Sequence, residues 1–287
     1  MEWIARLNEA VSYMENNLDK EISYERAARI ACCSTFHFIR MFTYIAGIPL
    51  SEYVRRRRLT LAAFDIQRGD GKIVDIALRY GYESPTAFNR AFHVVHGMSP
   101  SEARRAGVVL KAHPRMIFSM AITGGAEMQY RIEKKESFTI VGVGQHFSVK
   151  MEECFEEVPK FWQRTIQSGE IPRIMEYLDR EPQGLLGVCG NMEGDDFDYF
   201  IAVASTRKAG DSFVEYRIPA STWAIFECIG PMPHAIQDLQ RRIITEWLPI
   251  SGYEYSNAPD IEVYFAGDQQ ANDYRCEVWL PVTRKSD

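Results

Sequence analysis

Ser34-Thr35-Phe36-His37-Phe38-Ile39-Arg40-Met41-Phe42 returns fifty residues later as Ser84-Pro85-Thr86-Ala87-Phe88-Asn89-Arg90-Ala91-Phe92, and the correspondence runs on in both directions. Ala27 matches Ala77, Arg29 matches Arg79, Gly47 matches Gly97, and Ser51, Glu52 and Arg55 match Ser101, Glu102 and Arg105. Ten identities fall within residues 25–55, where unrelated sequence at roughly 6% identity per position gives about two. The chain therefore carries a duplicated helical module. In each copy a short Ala-containing helical stretch, Ser23 to Ile30 and Ile73 to Tyr80, leads through a four-residue turn to a Ser suited to cap a second helix. That outline is a helix-turn-helix.

The second helix of each copy has a buried stripe at i, i+3, i+4 and i+7: Phe38, Met41, Phe42 and Ile45, then Phe88, Ala91, Phe92 and Val95. At about 100° per residue the opposite face holds Phe36, Arg40 and Thr43 in the first copy and Thr86, Arg90 and His93 in the second, with Ile39 and Asn89 at its edge. An Arg on such a face can pair with guanine O6 and N7 in a bidentate fork when the helix enters a DNA major groove. A single face of this kind suits solvent equally well; its duplication favours the groove.

Charge divides the chain in the same sense. Residues 1–115 hold 17 Lys and Arg against 12 Asp and Glu, and residues 116–287 hold 16 against 27, a net +5 beside a net −11. A basic half joined to an acidic half fits a phosphate-binding module coupled to one that avoids phosphates. The run Arg55-Arg56-Arg57-Arg58 lies in a helical pattern whose apolar stripe is Val54, Leu59, Leu61, Ala62 and Ile66, so the arginines point several ways: some toward phosphates, at least one toward an acidic neighbour. The six cysteines, Cys32, Cys33, Cys154, Cys189, Cys228 and Cys276, show neither C-x-x-C spacing nor companion histidines and read as reduced and packed; no metal site or cofactor is expected. With no signal peptide and no apolar run of 18 residues, the expected location is the cytoplasm, away from any membrane.

After Arg105 the helical period stops. The expected organisation is a helical domain over 1–108, a linker over 109–127 and a second domain over 128–287. The second domain reads as strand, strand, helix, strand, strand, performed twice: Met128–Lys134, Thr139–Phe147, Glu152–Ser168, Gly184–Asn191 and Tyr199–Ser205, then Phe213–Ile218, Trp223–Ile229, Met232–Trp247, Ile261–Phe265 and Arg275–Val282. Tyr130-Arg131-Ile132 recurring as Tyr216-Arg217-Ile218 supports the doubling. Two such halves side by side leave a cleft on their pseudo-twofold axis, a common place for a ligand.

Along the last two strands Glu262 shares a face with Tyr264, and Glu277 with Trp279. A hairpin turning at residues 270–271 would set Glu262 against Trp279 and Tyr264 against Glu277, interleaving two carboxylates with two rings. Such a surface suits an apolar cation through charge and cation–π attraction, about 0.5–2 kcal/mol per ring; it equally fits an outer sheet face with aromatic neighbours. Trp162, Trp223 and Trp247 are further candidates for the cleft.

Two stretches resemble known families. Ala27–Gly107, above all Tyr80-Gly81-Tyr82-Glu83-Ser84 with Phe88, Arg90, Phe92 and Gly97-Met98-Ser99-Pro100, is similar to the DNA-binding domain of AraC/XylS-type transcription regulators. Trp247-Leu248-Pro249, Pro259-Asp260-Ile261-Glu262-Val263-Tyr264 and Glu277-Val278-Trp279-Leu280-Pro281-Val282 resemble the gyrase-inhibitor-like effector-binding domain. The first resemblance implies groove-facing residues at Phe36, Ile39 and Arg40 and at Thr86, Ala87, Asn89 and Arg90, with Ile39 standing where a polar residue is common; Thr43 joins them from the helical period. The second implies a lipophilic, often cationic, small molecule received at Glu262, with Glu277 close by; Tyr264, Trp279 and Trp223 are the rings that the residue pattern sets around it. The expected fold is multidomain: an all-α double helix-turn-helix domain followed by an α+β effector-binding domain of two strand-strand-helix-strand-strand halves. The expected function is a DNA-binding transcription regulator with double-stranded DNA, a small-molecule effector and RNA polymerase as partners, and with no catalytic residues. The alternative is a hydrolase or drug-sequestering protein acting through the C-terminal cleft, since some relatives of that domain hydrolyse strained rings.

Overall fold

A computed structural model describes residues 2–69, 71–119, 127–148, 151–193, 196–256 and 258–285. The chain divides into two compact units, residues 1–121 and 122–287.

Among the described residues the first unit holds seven helices: α1 (Glu2–Glu15), α2 (Tyr24–Ile30), α3 (Thr35–Ala46), α4 (Leu50–Arg68), α5 (Ile73–Arg79), α6 (Pro85–His96) and α7 (Pro100–Ala103). The fifty-residue repeat appears as repeated capping. Ser34 Oγ accepts from His37 N at 3.3 Å and Ser84 Oγ from Ala87 N at 3.4 Å, starting α3 and α6. Gly47 (φ 67°) and Gly97 (φ 77°) end them in the left-handed conformation, where a Cβ would be strained. The inward stripes are as the periodicity requires: Phe38, Met41 and Phe42 are buried, as are Phe88, Phe92 and Val95, the latter against Leu59, Ala62 and Ile66 of α4.

The four arginines of α4 are engaged by the protein itself. Arg55 and Arg56 both reach Glu52 on their own helix. Arg57 pairs with Glu15 of α1 at 2.8 Å and donates to His113 O, and Arg58 donates to the carbonyls of Leu18 and Lys20. The stretch expected as a linker is laid in part against these helices: His113 N donates to Thr60 Oγ1, Met116 N to the Tyr53 hydroxyl, and Phe118 exchanges hydrogen bonds with the Asn8 side chain. The expected residues 120–126 lie outside the described residues.

In the second unit the strands are β1 (Tyr130–Lys135), β2 (Phe138–Ser148), β3 (Leu185–Glu193), β4 (Asp196–Ala204), β5 (Val214–Ile218), β6 (Ser221–Ile229), β7 (Tyr253–Tyr255), β8 (Asp260–Tyr264) and β9 (Arg275–Arg284). The helices are α8 (Met151–Gln167), the short α9 (Glu170–Met175) and α10 (His234–Arg242), which continues into a π-turn over Ile243–Trp247. Each half thus has the expected order, with α9 and β7 as additions. Every pairing is antiparallel, in the order β1-β6-β9-β8-β3-β4-β2-β5, with β7 joined to β9. This order reads the same from either end once β1 to β4 are exchanged for β5, β6, β8 and β9. The halves meet at the β8–β3 seam, and each first strand is lent to the far edge of the other half.

The side-chain period of two sorts the sheet into two cores. One face carries Ile140, Leu186, Val188, Phe200, Ile225, Ile261 and Val263 with Trp223 and Trp279. The other carries Phe226, Cys276, Val278 and Leu280 beneath Ile236, Leu239 and Ile243 of α10 and its π-turn. Because the second face takes the helices, any cleft between them has that face as its floor.

Candidate DNA-reading helices and effector site

In the first unit α6 offers the open surface. Thr86, Ala87, Asn89, Arg90 and His93 are all exposed, and Thr86, Asn89, Arg90 and His93 line one shallow depression with Pro85 and Val94. Phe88 and Phe92 anchor the helix from behind. In α3 the face expected outward is more closed: Phe36 and Ile39 are buried, and Arg40 and Thr43 are half-buried. Arg40 lies over two rings of its own helix, 5.9 Å from the Phe36 centroid and 5.7 Å from that of Tyr44, and Thr43 Oγ1 donates to Ile39 O. The duplication therefore gives two helices of the same design whose outer faces differ in exposure.

In the second unit the last two strands pair one residue away from the expected register. Ile261 faces Trp279, Glu262 faces Val278, Val263 faces Glu277 and Tyr264 faces Cys276. A one-residue slip exchanges the two faces of a strand, so the expected ring of Glu262, Tyr264, Glu277, Trp279 and Trp223 does not form. Glu262 and Tyr264 lie on the helix-covered face; Glu277, Trp279 and Trp223 lie on the other. The cause is the connection, which is not a two-residue turn at 270–271 but the whole stretch 265–274. It is held by Tyr274 OH to Phe265 O, Tyr274 N to Ala271 O and Met232 N to Gln269 O. On their own face Glu277 accepts from Arg131 Nη1 and Trp279 Nε1, both at 2.8 Å, while Trp223 is fully buried beside Trp279. These three residues form core and an ion pair.

Glu262 has a different neighbourhood. It stands on β8 at the seam, directly opposite Gly187 of β3. Its Oε2 accepts from the hydroxyls of Tyr264 at 2.8 Å and Tyr199 at 3.4 Å, and its Oε1 accepts from Gln240 Nε2 of α10. From the other helix Trp162 of α8 donates through Nε1 to Tyr199 OH at 3.0 Å and meets Tyr264 edge-on at 5.3 Å between centroids. Gly187 makes the cluster possible, since a Cβ there would stand 2.3 Å from Tyr199 OH and 3.2 Å from Glu262 Oε2. Burial, and after it the Glu262 charge, pushes both tyrosine hydroxyls well above their usual range, so they stay protonated and donate.

All of these donors are neutral, and among the described residues no Lys or Arg pairs with Glu262. The site is thus a half-buried carboxylate, fixed in orientation and lacking a counter-charge, beneath aromatic rings from both halves. Of the sequence candidates Glu262, Tyr264 and Trp162 meet here, and Trp247 packs elsewhere on the same face against Phe226 and Tyr253. Tyr199, Gln240 and Gly187 join the site from the structure alone, Gly187 through its pairing with Glu262 across the seam. Among the described residues no group of three or more His, Cys, Asp or Glu is arranged to hold a metal, and no helix is long and apolar enough to cross a membrane.

A family model described as integron-associated effector binding protein matches residues 131–282, more than half of the chain, and a helix-turn-helix domain model matches residues 27–106. The chain belongs to the AraC-type regulators that carry an effector-binding domain. Along nearly its full length this AraC-type regulator is similar to the transcriptional regulator Rob of Salmonella typhimurium, 26% identical over 97% of this chain and 98% of that one. It is likewise similar to the right origin-binding protein of Escherichia coli, 24% identical over the same shares. The second unit has the fold of a protein solved bound to tetraphenylphosphonium, with a TM-score of 0.50 and 24% identity over 54% of this chain and 94% of that one. The regulator is accordingly a DNA-binding transcription factor with a helix-turn-helix first unit and an α+β effector-domain second unit.

Proposed function

We propose that the second unit senses a lipophilic cation at Glu262 and that the first unit reads DNA through α6 and α3. The observation that carries the ligand class is the carboxylate held by three neutral donors under Trp162, Tyr199 and Tyr264. A cation seated there supplies the missing counter-charge in a medium less polar than water and gains ring contacts as well. An anion would meet the carboxylate unscreened. Regulators similar along the whole chain favour this reading over a hydrolase or a sequestering protein, and transcriptional output implies RNA polymerase as a partner. The test is isothermal titration with tetraphenylphosphonium and a neutral tetraphenyl analogue. Glu262→Gln keeps volume and removes charge, so affinity for the cation should fall about tenfold or more, at roughly 1.4 kcal/mol per factor of ten, while the neutral compound binds unchanged. Equal losses for both would mean that Glu262 acts through shape.

For DNA, Thr86, Ala87, Asn89 and Arg90 are the base-reading set of α6; in α3, where Phe36 and Ile39 are buried, that role falls to Arg40 and Thr43. Arg90 is presented without rearrangement, whereas Arg40 must leave the Phe36 and Tyr44 rings to reach a base. Arg90→Ala should therefore weaken binding to a DNA site selected by the parent from random sequence by about 1–3 kcal/mol, and Arg40→Ala by less. Gel-shift titration decides it: a folded Arg90→Ala protein that binds like the parent removes α6 from the groove.

A further inference from the structure

Cys228 of β6 and Cys276 of β9 are directly opposite one another in the sheet, so both side chains leave it on the same face with Cβ atoms about 4.5–5.5 Å apart. Met232, in the turn between β6 and α10, brings its thioether Sδ to 3.9 Å from Cys276 Sγ. All three residues are buried and belong to the hydrophobic cluster beneath α10. Three sulfur atoms thus converge in the core beneath α10, and none of them takes part in holding Glu262.

We propose that Cys228, Cys276 and Met232 form a binding site for a soft monovalent metal ion of the Cu(I) class. Two metal–sulfur bonds of about 2.3 Å each, the length found for zinc thiolates, span the gap between the paired cysteines, and the thioether completes a three-sulfur shell. Thiolate and thioether donors select Cu(I), whereas Zn(II) wants four donors and this cluster supplies three. Binding is a proton exchange without redox chemistry: two S–H bonds break, two thiolate–metal bonds and one thioether–metal bond form, and two protons pass to solvent. Cys276 also faces Tyr264 across β8 and β9, which places the metal beside the strand that carries Glu262.

The experiment is an anaerobic Cu(I) titration of the full chain against a coloured Cu(I) chelator. It is made in a Cys32→Ser, Cys33→Ser background, because Cys32 is exposed and Cys33 partly so. The parent should withdraw one equivalent and melt at a higher temperature with Cu(I), but not with Zn(II). Cys228→Ala should withdraw one equivalent less, and Met232→Leu should bind at least tenfold more weakly. The proposal fails if the parent withdraws no Cu(I), or if a folded Cys228→Ala protein withdraws as much as the parent. Should Cys228→Ala not fold, Met232→Leu decides: an affinity equal to the parent's overturns the three-sulfur site.

Discussion

Arg57→Ala is expected to cost about 3–5 kcal/mol of folding stability, the range for breaking a buried ion pair by removing one partner, while Arg55→Ala, two positions away, costs under about 1 kcal/mol. The two arginines belong to one run but differ in burial: the Arg57 and Glu15 side chains are 11% and 8% exposed, those of Arg55 and Glu52 37% and 22%. Arg57 also joins three segments, binding Glu15 of α1 and the His113 carbonyl from α4, and Tyr53 donates to the same carboxylate. Burial pushes the Glu15 carboxyl up, but the hydrogen bonds from Arg57 and Tyr53 outweigh it and hold it below the usual carboxylate range. A carboxyl lowered by folding contributes stability that is complete above its unfolded value of about 4.3 and is lost as pH falls through the folded value. Urea denaturation of both variants at neutral pH, and of parent and Arg57→Ala from pH 7 down to pH 3, reads both effects. The acid-labile part should shrink in Arg57→Ala, and an unchanged urea midpoint at neutral pH would show that the pair does not hold α1 to α4.

Trp223→Ala should cost a similar amount, about 3–5 kcal/mol, as expected for deleting a large core aromatic, because Trp223 is fully buried on the face away from the helices. The companion substitution Glu277→Gln separates the two faces of the sheet. In the observed register Glu277 serves Arg131 and Trp279 on the opposite face of the sheet from Glu262, so tetraphenylphosphonium affinity should stay within about twofold, a change of under 0.5 kcal/mol. Were the strands paired as the sequence alone suggests, Glu277 would share the ligand with Glu262 and its loss would be felt at least as strongly as that of Glu262. Titration of the two Gln variants side by side distinguishes the registers.

Local signals carried the sequence reading a long way. Caps and glycine stops fixed α3 and α6 because Ser34, Ser84, Gly47 and Gly97 act within a turn of their own helix, and alternation placed the strands of both halves because burial repeats every second residue. The same alternation could not set the β8–β9 register. Its parity depends on how many residues the loop from Phe265 to Tyr274 absorbs, and that loop is shaped by Met232 from a distant turn. Tyr199 and Gln240 reach Glu262 from β4 and α10, and Trp162 reaches Tyr199 from α8, so their meeting follows from the order of strands and from no spacing in the chain. The closed face of α3 was equally out of reach: Phe36 and Ile39 fit a groove and a packed surface alike, and only their surroundings choose.

The exchange of first strands between the halves also decides where the sheet ends. With β1 and β5 outermost, each edge leaves a row of amide and carbonyl groups that another chain could pair with. Both edges are guarded by ionic side chains: Arg131, Glu133, Lys134 and Lys135 on β1, and Glu215 and Arg217 on β5. A chain that swapped these for Val and Thr would keep its strand propensity and lose its guard, turning a solitary sheet into one that grows edge to edge into aggregates.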